Sequence, residues 1–241
     1  MFKSGLVIWS SLVFSFLPFE SNAQDLSVIL NEAKQFETTW KEKEALDKYL
    51  EALRYQPTHL GALVKTSELY SKLGKRQPTK EKQKQYYNSA KSYAQKALQV
   101  NANSSDANFV MAVAIGRVTQ IASGDEKIKG VRDIKSYAEK SIRFDPNSYK
   151  GYTVLGKWHF EVSNLSALEK WLVKVAFGSL PDASLDEAIR NYEKSKQLYP
   201  TFLLNYLELA KSYHRKDKDA LAIQHLETLL KLPDLTSDDP T

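Results

Sequence analysis

Residues 45–57 read Ala-Leu-Asp-Lys-Tyr-Leu-Glu-Ala-Leu-Arg-Tyr-Gln-Pro. Within them Ala45, Tyr49 and Ala52 share one helical face, and Pro57 ends the helix because it has no N–H to give the ladder. The same spacing returns as Ala90-Ala94-Ala97-Ala102, as Ile134-Ala138-Ser141-Pro146 and as Ala188-Tyr192-Ser195-Pro200. It returns again as Ala222-Leu226-Leu229, with Pro233 near the stop. A small residue lets two helices approach closely, and an aromatic or small residue one turn later packs on the neighbouring unit.

This spacing marks the second helix of a tetratricopeptide (TPR) hairpin. The last unit supplies the matching first helix as Tyr206, Leu209, Ala210 and Tyr213, and the first unit supplies Ile29, Ala33 and Phe36. Both units are predicted to be compact. The chain has only nine glycines and eight prolines, is rich in helix formers and lacks a run of alternating polarity. The predicted fold is all-α: a TPR-like right-handed α-solenoid of about five helical hairpins.

The middle units are stretched. Polar Ser71–Pro78 is read as part of one connection, with Thr79 as the N-cap of the next helix. Gly124, Asp125, Glu126 and Gly130 are read as a loop. A third insertion carries an extra helix near residues 164–178. Ser166 with Glu169 reads as a capping box, Gly178 as the stop, and Ser184 with Glu187 as a second box that opens the next helix. Leu165, Leu168, Trp171, Leu172, Val175 and Ala176 form one apolar stripe, expected to be buried against the solenoid with Trp171 in its middle.

The amino terminus reads as a secretory leader. Lys3 is the charged start, Leu6–Leu17 the apolar run, and Ser21-Asn22-Ala23 the cleavage site before Gln24. The expected organisation is a signal peptide over 1–23, a helical-repeat domain over 24–233 and a disordered tail over 234–241. The expected location is the periplasm or the exterior, after cleavage. The chain has no cysteine, which excludes disulfides, thiolate metal sites and a lipid-bearing cysteine.

The net charge is +5. Lysines and arginines concentrate between Lys72 and Lys96, read as a solvated outer face rather than a nucleic-acid patch, because stacking aromatics are few. No nucleic-acid partner is expected. The four histidines, His59, His159, His214 and His225, form no metal-binding pair at helical spacing, and His159 reads as a satisfied packing residue. Neither a phosphate-binding glycine loop nor a nucleophile elbow occurs. The expected protein is therefore not an enzyme and has no cofactor. Its 13 tyrosines and 4 tryptophans read mostly as interlocking knobs, while Tyr70, Tyr86, Tyr87 and Tyr149 are candidates for the concave face.

Between Gly151 and Pro233 the chain resembles the regulator of microtubule dynamics family of diverged TPR-like proteins. The resemblance rests on Leu155-Gly156-Lys157-Trp158, on Val162, Leu165 and Leu168-Glu169-Lys170, and on Ala176-Phe177-Gly178 with Pro181. It continues through Asp186-Glu187-Ala188-Ile189, Tyr192, Tyr199-Pro200, Leu209-Ala210-Lys211-Ser212-Tyr213 and Ala222. The inserted helix, which ordinary TPR units lack, is part of it. Where the family carries paired prolines, this chain has Leu180-Pro181. The resemblance implies a helical-repeat module tied to microtubules or organelle contacts, with a lipid-binding alternative, and brings no catalytic residues.

The function expected from the residues is an exported, non-catalytic scaffold that binds an extended ligand, most readily a peptide or protein, in its concave groove. Lipid binding or transfer and cytoskeletal regulation are the alternatives. First helices line such a groove, starting near Leu60, Asp106, Tyr149 and Phe202. The candidate ligand-binding residues on them are Lys65, Asn108, Tyr149, Lys150, Lys157 and Asn205. This set is basic, so an anionic group on the ligand is expected.

Overall fold

The computed structural model describes residues 19–178 and 182–232. The leader over 1–23 lies mostly outside them, and so do Pro181, Pro233 and the tail over 234–241. The described residues form helices only, in the order α1 (Phe19–Thr38), α2 (Glu42–Tyr55), α3 (Leu60–Lys75), α4 (Lys80–Val100), α5 (Ser105–Ile121) and α6 (Gly124–Phe144). These are followed by α7 (Tyr149–Ser163), α8 (Ala167–Phe177), α9 (Leu185–Leu198), α10 (Leu203–His214) and α11 (Asp219–Lys231).

The hairpins are α1/α2, α3/α4, α5/α6, α7/α9 and α10/α11, with α8 inserted in the fourth. Ala45, Ala52, Ala90, Ala94, Ala97, Ala138, Ser141, Ala188, Tyr192 and Ser195 are all fully buried at the hairpin seams. Helices α2, α6 and α9 are capped at Gln56, Asp145 and Tyr199, each immediately before its proline. The first helices that follow mostly start on a side-chain cap. His59 Nδ1 accepts the Ala62 N–H at 3.0 Å, Ser104 Oγ that of Ala107 at 3.2 Å and Ser148 Oγ that of Gly151 at 3.2 Å. Three of the four restarts thus use a side-chain cap, and α10 starts from Phe202 without one.

The two compact units share one turn. Trp40 and Asp217 both sit in the left-handed region, at φ 60° and 57°. The following N–H reaches back over the turn, Lys41 to Phe36 O at 2.9 Å and Lys218 to Tyr213 O at 3.0 Å, as in a Schellman ending.

The stretched units differ from expectation in one respect. The residues read as a loop, Gly124–Gly130, are the first two turns of α6. Gly130 faces Thr119, and a Cβ there would overlap its hydroxyl; the glycine serves helix contact rather than chain reversal. The extra residues lengthen helices, and the segment from Ser71 contributes its first residues to α3. Thr79 caps α4 as predicted, accepting the Lys82 N–H at 3.2 Å.

First helices pack on first helices, α3 on α5, α5 on α7 and α7 on α10. Each second helix packs on the first helix of the next unit. Among the described residues, consecutive second helices make no extended contact with one another. The first helices are therefore the inner layer of a curved stack, and their free stripe is the concave face.

Helix α8 forms with both halves of the Ser166–Glu169 capping box and ends at Gly178, at φ 75°. Ser184 keeps only half of the second box, because the Glu187 side chain pairs with Arg190 instead of returning to the cap. The expected burial of the α8 stripe is not found. Leu168, Trp171, Leu172 and Val175 are exposed, Trp171 at 58%, and Val173 is the side chain turned inward at 8%. The helix leans on α6, which covers the face one step round from the apolar stripe.

Candidate functional site

The concave face can be read from which side chains packing leaves open. On α5, Phe109, Val113 and Arg117 are partly buried and Gln120 is exposed, while the residues between them are largely sealed. On α3 the corresponding stripe is Lys65, Glu68, Lys72 and Lys75, and on α7 it is Lys150, Val154, Lys157 and Glu161. Helix α10 adds Glu208, Lys211 and Arg215.

An ionic ladder ties these helices together. Lys65 Nζ lies 3.0 Å from Glu37 and 3.3 Å from Glu68. Lys150 Nζ lies 2.8 Å from Glu68 and 5.1 Å above the Phe109 ring. Lys157 Nζ sits 3.1 Å from Glu208 and 3.0 Å from Glu161, and Lys211 Nζ sits 3.0 Å from Glu208. Glu161 is exposed, while Glu37, Glu68 and Glu208 are the more buried partners of these pairs, each held by a cation as burial of a charge requires. Tyrosines of the second helices complete them. The Tyr49 hydroxyl donates to Glu37 at 2.6 Å, and that of Tyr192 faces Glu208 at 3.4 Å. Burial and these carboxylates push both phenols above their ordinary range.

Of the residues singled out in the sequence, Lys65, Lys150 and Lys157 do line this face, but each is held by at least one carboxylate. Tyr149 stacks on Tyr199, with ring centres 4.6 Å apart, and meets Phe202 edge-on at 5.2 Å. The two asparagines are not on the surface: Asn108 is 1% exposed and Asn205 0%. Asn108 Nδ2 donates to the carbonyls of Ala102 and Ser104 at 2.9 and 2.8 Å. Asn205 accepts from Thr153 at 3.0 Å and donates to Ser195 at 2.7 Å. Asn205 thereby ties the start of its unit to the preceding one with both donor and acceptor, whereas Asn108 uses only its donor, and its buried Oδ1 has no partner.

Tyr70 stacks on Tyr93 at 5.6 Å and meets Tyr86 edge-on at 5.7 Å, and Tyr87 is buried against Gly74. These rings pack within the second hairpin rather than line the groove. His159 is buried and Nδ1 has no hydrogen-bond partner, so it is a packed imidazole that lacks the expected satisfaction. Among the described residues no three His, Cys, Asp or Glu side chains are placed to hold a metal ion. No described helix is long and apolar enough to cross a membrane.

Sequence reasoning missed Arg117. It lies on the groove stripe of α5, partly buried, and its Nε has neither solvent nor a hydrogen-bond partner. Burial holds its guanidinium below the usual value. Its spacing from Phe109 and Val113 was available as a signal, but which α5 face stays open depends on four neighbouring helices.

Among solved structures, a thermophilic TPR protein in Thermus thermophilus matches 86% of this chain and 91% of its own at a TM-score of 0.65 and 16% identity. That likeness shows the fold. Regulator of microtubule dynamics protein 3 of Xenopus laevis is 24% identical over 219 residues, 90% of this chain and 47% of the relative. The Rattus norvegicus protein of the same name is 26% identical over 178 residues, 73% of this chain and 38% of the relative. The chain thus spans less than half the length of these relatives. The family model described as regulator of microtubule dynamics protein 1-3 matches residues 29–241, a much longer stretch than the one that carried the resemblance in the sequence. The chain belongs to the regulator of microtubule dynamics family.

Proposed function

We propose that this protein is a non-catalytic scaffold whose inner face, on α3, α5, α7 and α10, binds an extended segment of a partner protein. The observation that carries the reading is the layer order. First helices pack on first helices, so the groove is preformed, and Phe109, Val113 and Arg117 line its centre. A preformed groove spares the ligand site the ordering that loops would need on binding. The lining is a charged ladder around one ring, Phe109, and two short aliphatic side chains, Val113 and Val154, which suits a polar extended chain better than a lipid tail.

Export is part of the proposal. Among the side chains of α1 whose packing is described, Leu26 is the first against the core, and it lies beyond the proposed cleavage after Ala23. N-terminal sequencing of the protein from its producing cell tests this, and a retained Met1 in the cytosol would overturn it. Family membership favours one second reading, regulation of a cytoskeletal partner through the same face, and cytosolic retention would select it.

The binding test fills the groove without breaking the ladder. Replacing Lys150 and Lys157 would take one lysine each from the buried Glu68 and Glu208 and confound folding with binding. Val113→Trp instead places an indole between Phe109 and Arg117. Gln120→Trp, at the exposed end of the same stripe, adds bulk where no packing is disturbed. Peptides selected on the full chain from a random library should lose binding to these variants while helicity and melting midpoint hold. Peptides that bind all forms equally would rule out the groove.

A further inference from the structure

The arginines of this chain are mostly engaged. Arg76 pairs with Glu42 at 2.7 Å, Arg190 pairs with Glu187, and Arg215 donates to Phe160 O at 3.0 Å beneath the same residue's ring. Arg117 is different. Among the described residues it has no ion pair and no hydrogen bond, and its Nε is sealed from solvent. A guanidinium carries five donors that cannot be removed by deprotonation, and leaving such a charge uncompensated inside a protein is unfavourable.

Its charged neighbours make the anomaly larger. Lys75, at the end of α3, is held below its usual value first by burial and then by Arg117, Arg76 and Lys211. Of these, Arg76 and Lys211 have carboxylate partners, Glu42 and Glu208, whereas Arg117 has none among the described residues. The carboxylates of the face are engaged by other lysines. Glu37 and Glu68 hold Lys65 and Lys150, while Glu208 is shared by Lys157 and Lys211. A fold that commits its buried carboxylates to the ladder and leaves a planar fork without one has a place for an anion from outside.

We infer that Arg117 is the receptor for one carboxylate of an acidic peptide bound in the groove, with Lys75 and Lys211 at its rim. The inference rests on the groove reading above. The fork geometry of guanidinium matches a carboxylate through two parallel N–H···O bonds. The approach to it passes Phe109 and Val113, a ring and a short branched side chain between paired charges, which admits a backbone with a side chain better than an acyl chain. Binding would give the Arg117 guanidinium a counter-charge, so affinity should fall as salt is raised.

The test uses the full chain and heptapeptides selected on it from a random displayed library, each made again with Gln and Asn in place of Glu and Asp. Binding is measured by fluorescence polarisation to the wild type, Arg117→Gln, Arg117→Lys and Val113→Trp. The side-chain Nε–Hε resonance of Arg117 is followed by NMR in parallel. The expected result is selection of acidic peptides that lose about tenfold or more in affinity on Arg117→Gln, less on Arg117→Lys, and that move the Arg117 resonance. The amide-substituted peptides should lose a similar factor on the wild type and almost nothing further on Arg117→Gln. Because the substitution removes an uncompensated charge, the unliganded Arg117→Gln protein should melt no lower than the wild type.

Peptides that are blocked by Val113→Trp but bind Arg117→Gln as tightly as the wild type, with the same salt dependence, would overturn the inference and leave the groove reading standing. Peptides indifferent to Val113→Trp, or no selected peptide at all, would overturn both. An Arg117 resonance moved by phosphatidylcholine vesicles containing phosphatidic acid, but not by acidic peptides, would replace the carboxylate with a lipid phosphate and overturn the inference in this form.

Discussion

Lys150 on α7 reaches Glu68 on α3, with Nζ 2.8 Å from Oε1, across the intervening helix α5 and over the ring of Phe109. The two residues are 82 positions apart in the chain. They can meet only because the first helices of three successive units converge, so this contact reports the curvature of the solenoid as well as a charge pair. Glu68 is nearly buried and serves both Lys65 and Lys150, as Glu208 serves Lys157 and Lys211, so its loss takes a partner from two ammonium groups.

Glu68→Gln should lower stability by about 1–3 kcal/mol, the cost of leaving charged hydrogen-bonding partners unsatisfied. Urea denaturation gives the value. Glu68→Gln combined with Lys150→Met should cost less than the sum of the single changes, since no ammonium then faces an amide. Additive effects would mean the pair is not coupled across α5.

Gly156 lies against Tyr192, and an alanine Cβ there would stand 2.8 Å from the ring and 3.2 Å from the Ala188 carbonyl. Gly156→Ala should destabilise by about 1–3 kcal/mol through overpacking, although alanine is the better helix former by roughly 0.5–1 kcal/mol. Pairing it with Tyr192→Leu should recover part of the loss. A rise in the thermal midpoint of the single variant would contradict the close seam between α7 and α9.

Trp171→Ala should change stability by no more than about 0.5 kcal/mol, as for other exposed positions, because the indole is exposed on α8. Burial would have predicted a loss of about 3–5 kcal/mol. The denaturation midpoint separates these outcomes cleanly. Val173→Ala, at the inward position of the same helix, should be the more costly change.

His159 is held below its ordinary imidazole value, first by burial and also by Lys135, against Glu187, Asp182 and Glu139. A depressed folded-state value means the unfolded chain takes the proton more readily. The stabilisation is therefore complete above about pH 6.5 and is lost as the pH falls through the lower folded-state value. His225, also depressed by burial, acts in the same sense. Stability measured between pH 7 and pH 5 should fall, and that of His159→Phe should fall less steeply. Equal slopes for both proteins would remove His159 from the account.

Much of the fold was legible because each unit repeats a local rule. Small residues at Ala45, Ala90 and Ala188 with stops before Pro57, Pro146 and Pro200 need only 3.6-residue periodicity and the missing proline N–H to be interpreted. The first-helix starts at Leu60 and Tyr149 follow from the same signals. The Gly124–Gly130 segment was misread because glycine in sequence looks like a turn, whereas Gly130 is there for the Thr119 contact, which sequence does not display. The site was less legible. The sequence determined which side chains lie on each first helix, and that most of those facing the groove are basic. Only the tertiary structure decided which of them are already satisfied. Lys65, Lys150 and Lys157 find carboxylates from other helices, Asn108 and Asn205 turn inward, and Arg117 is left with an orphaned Nε. Periodicity is a property of one helix, and the pairing of a charge is a property of the space between several.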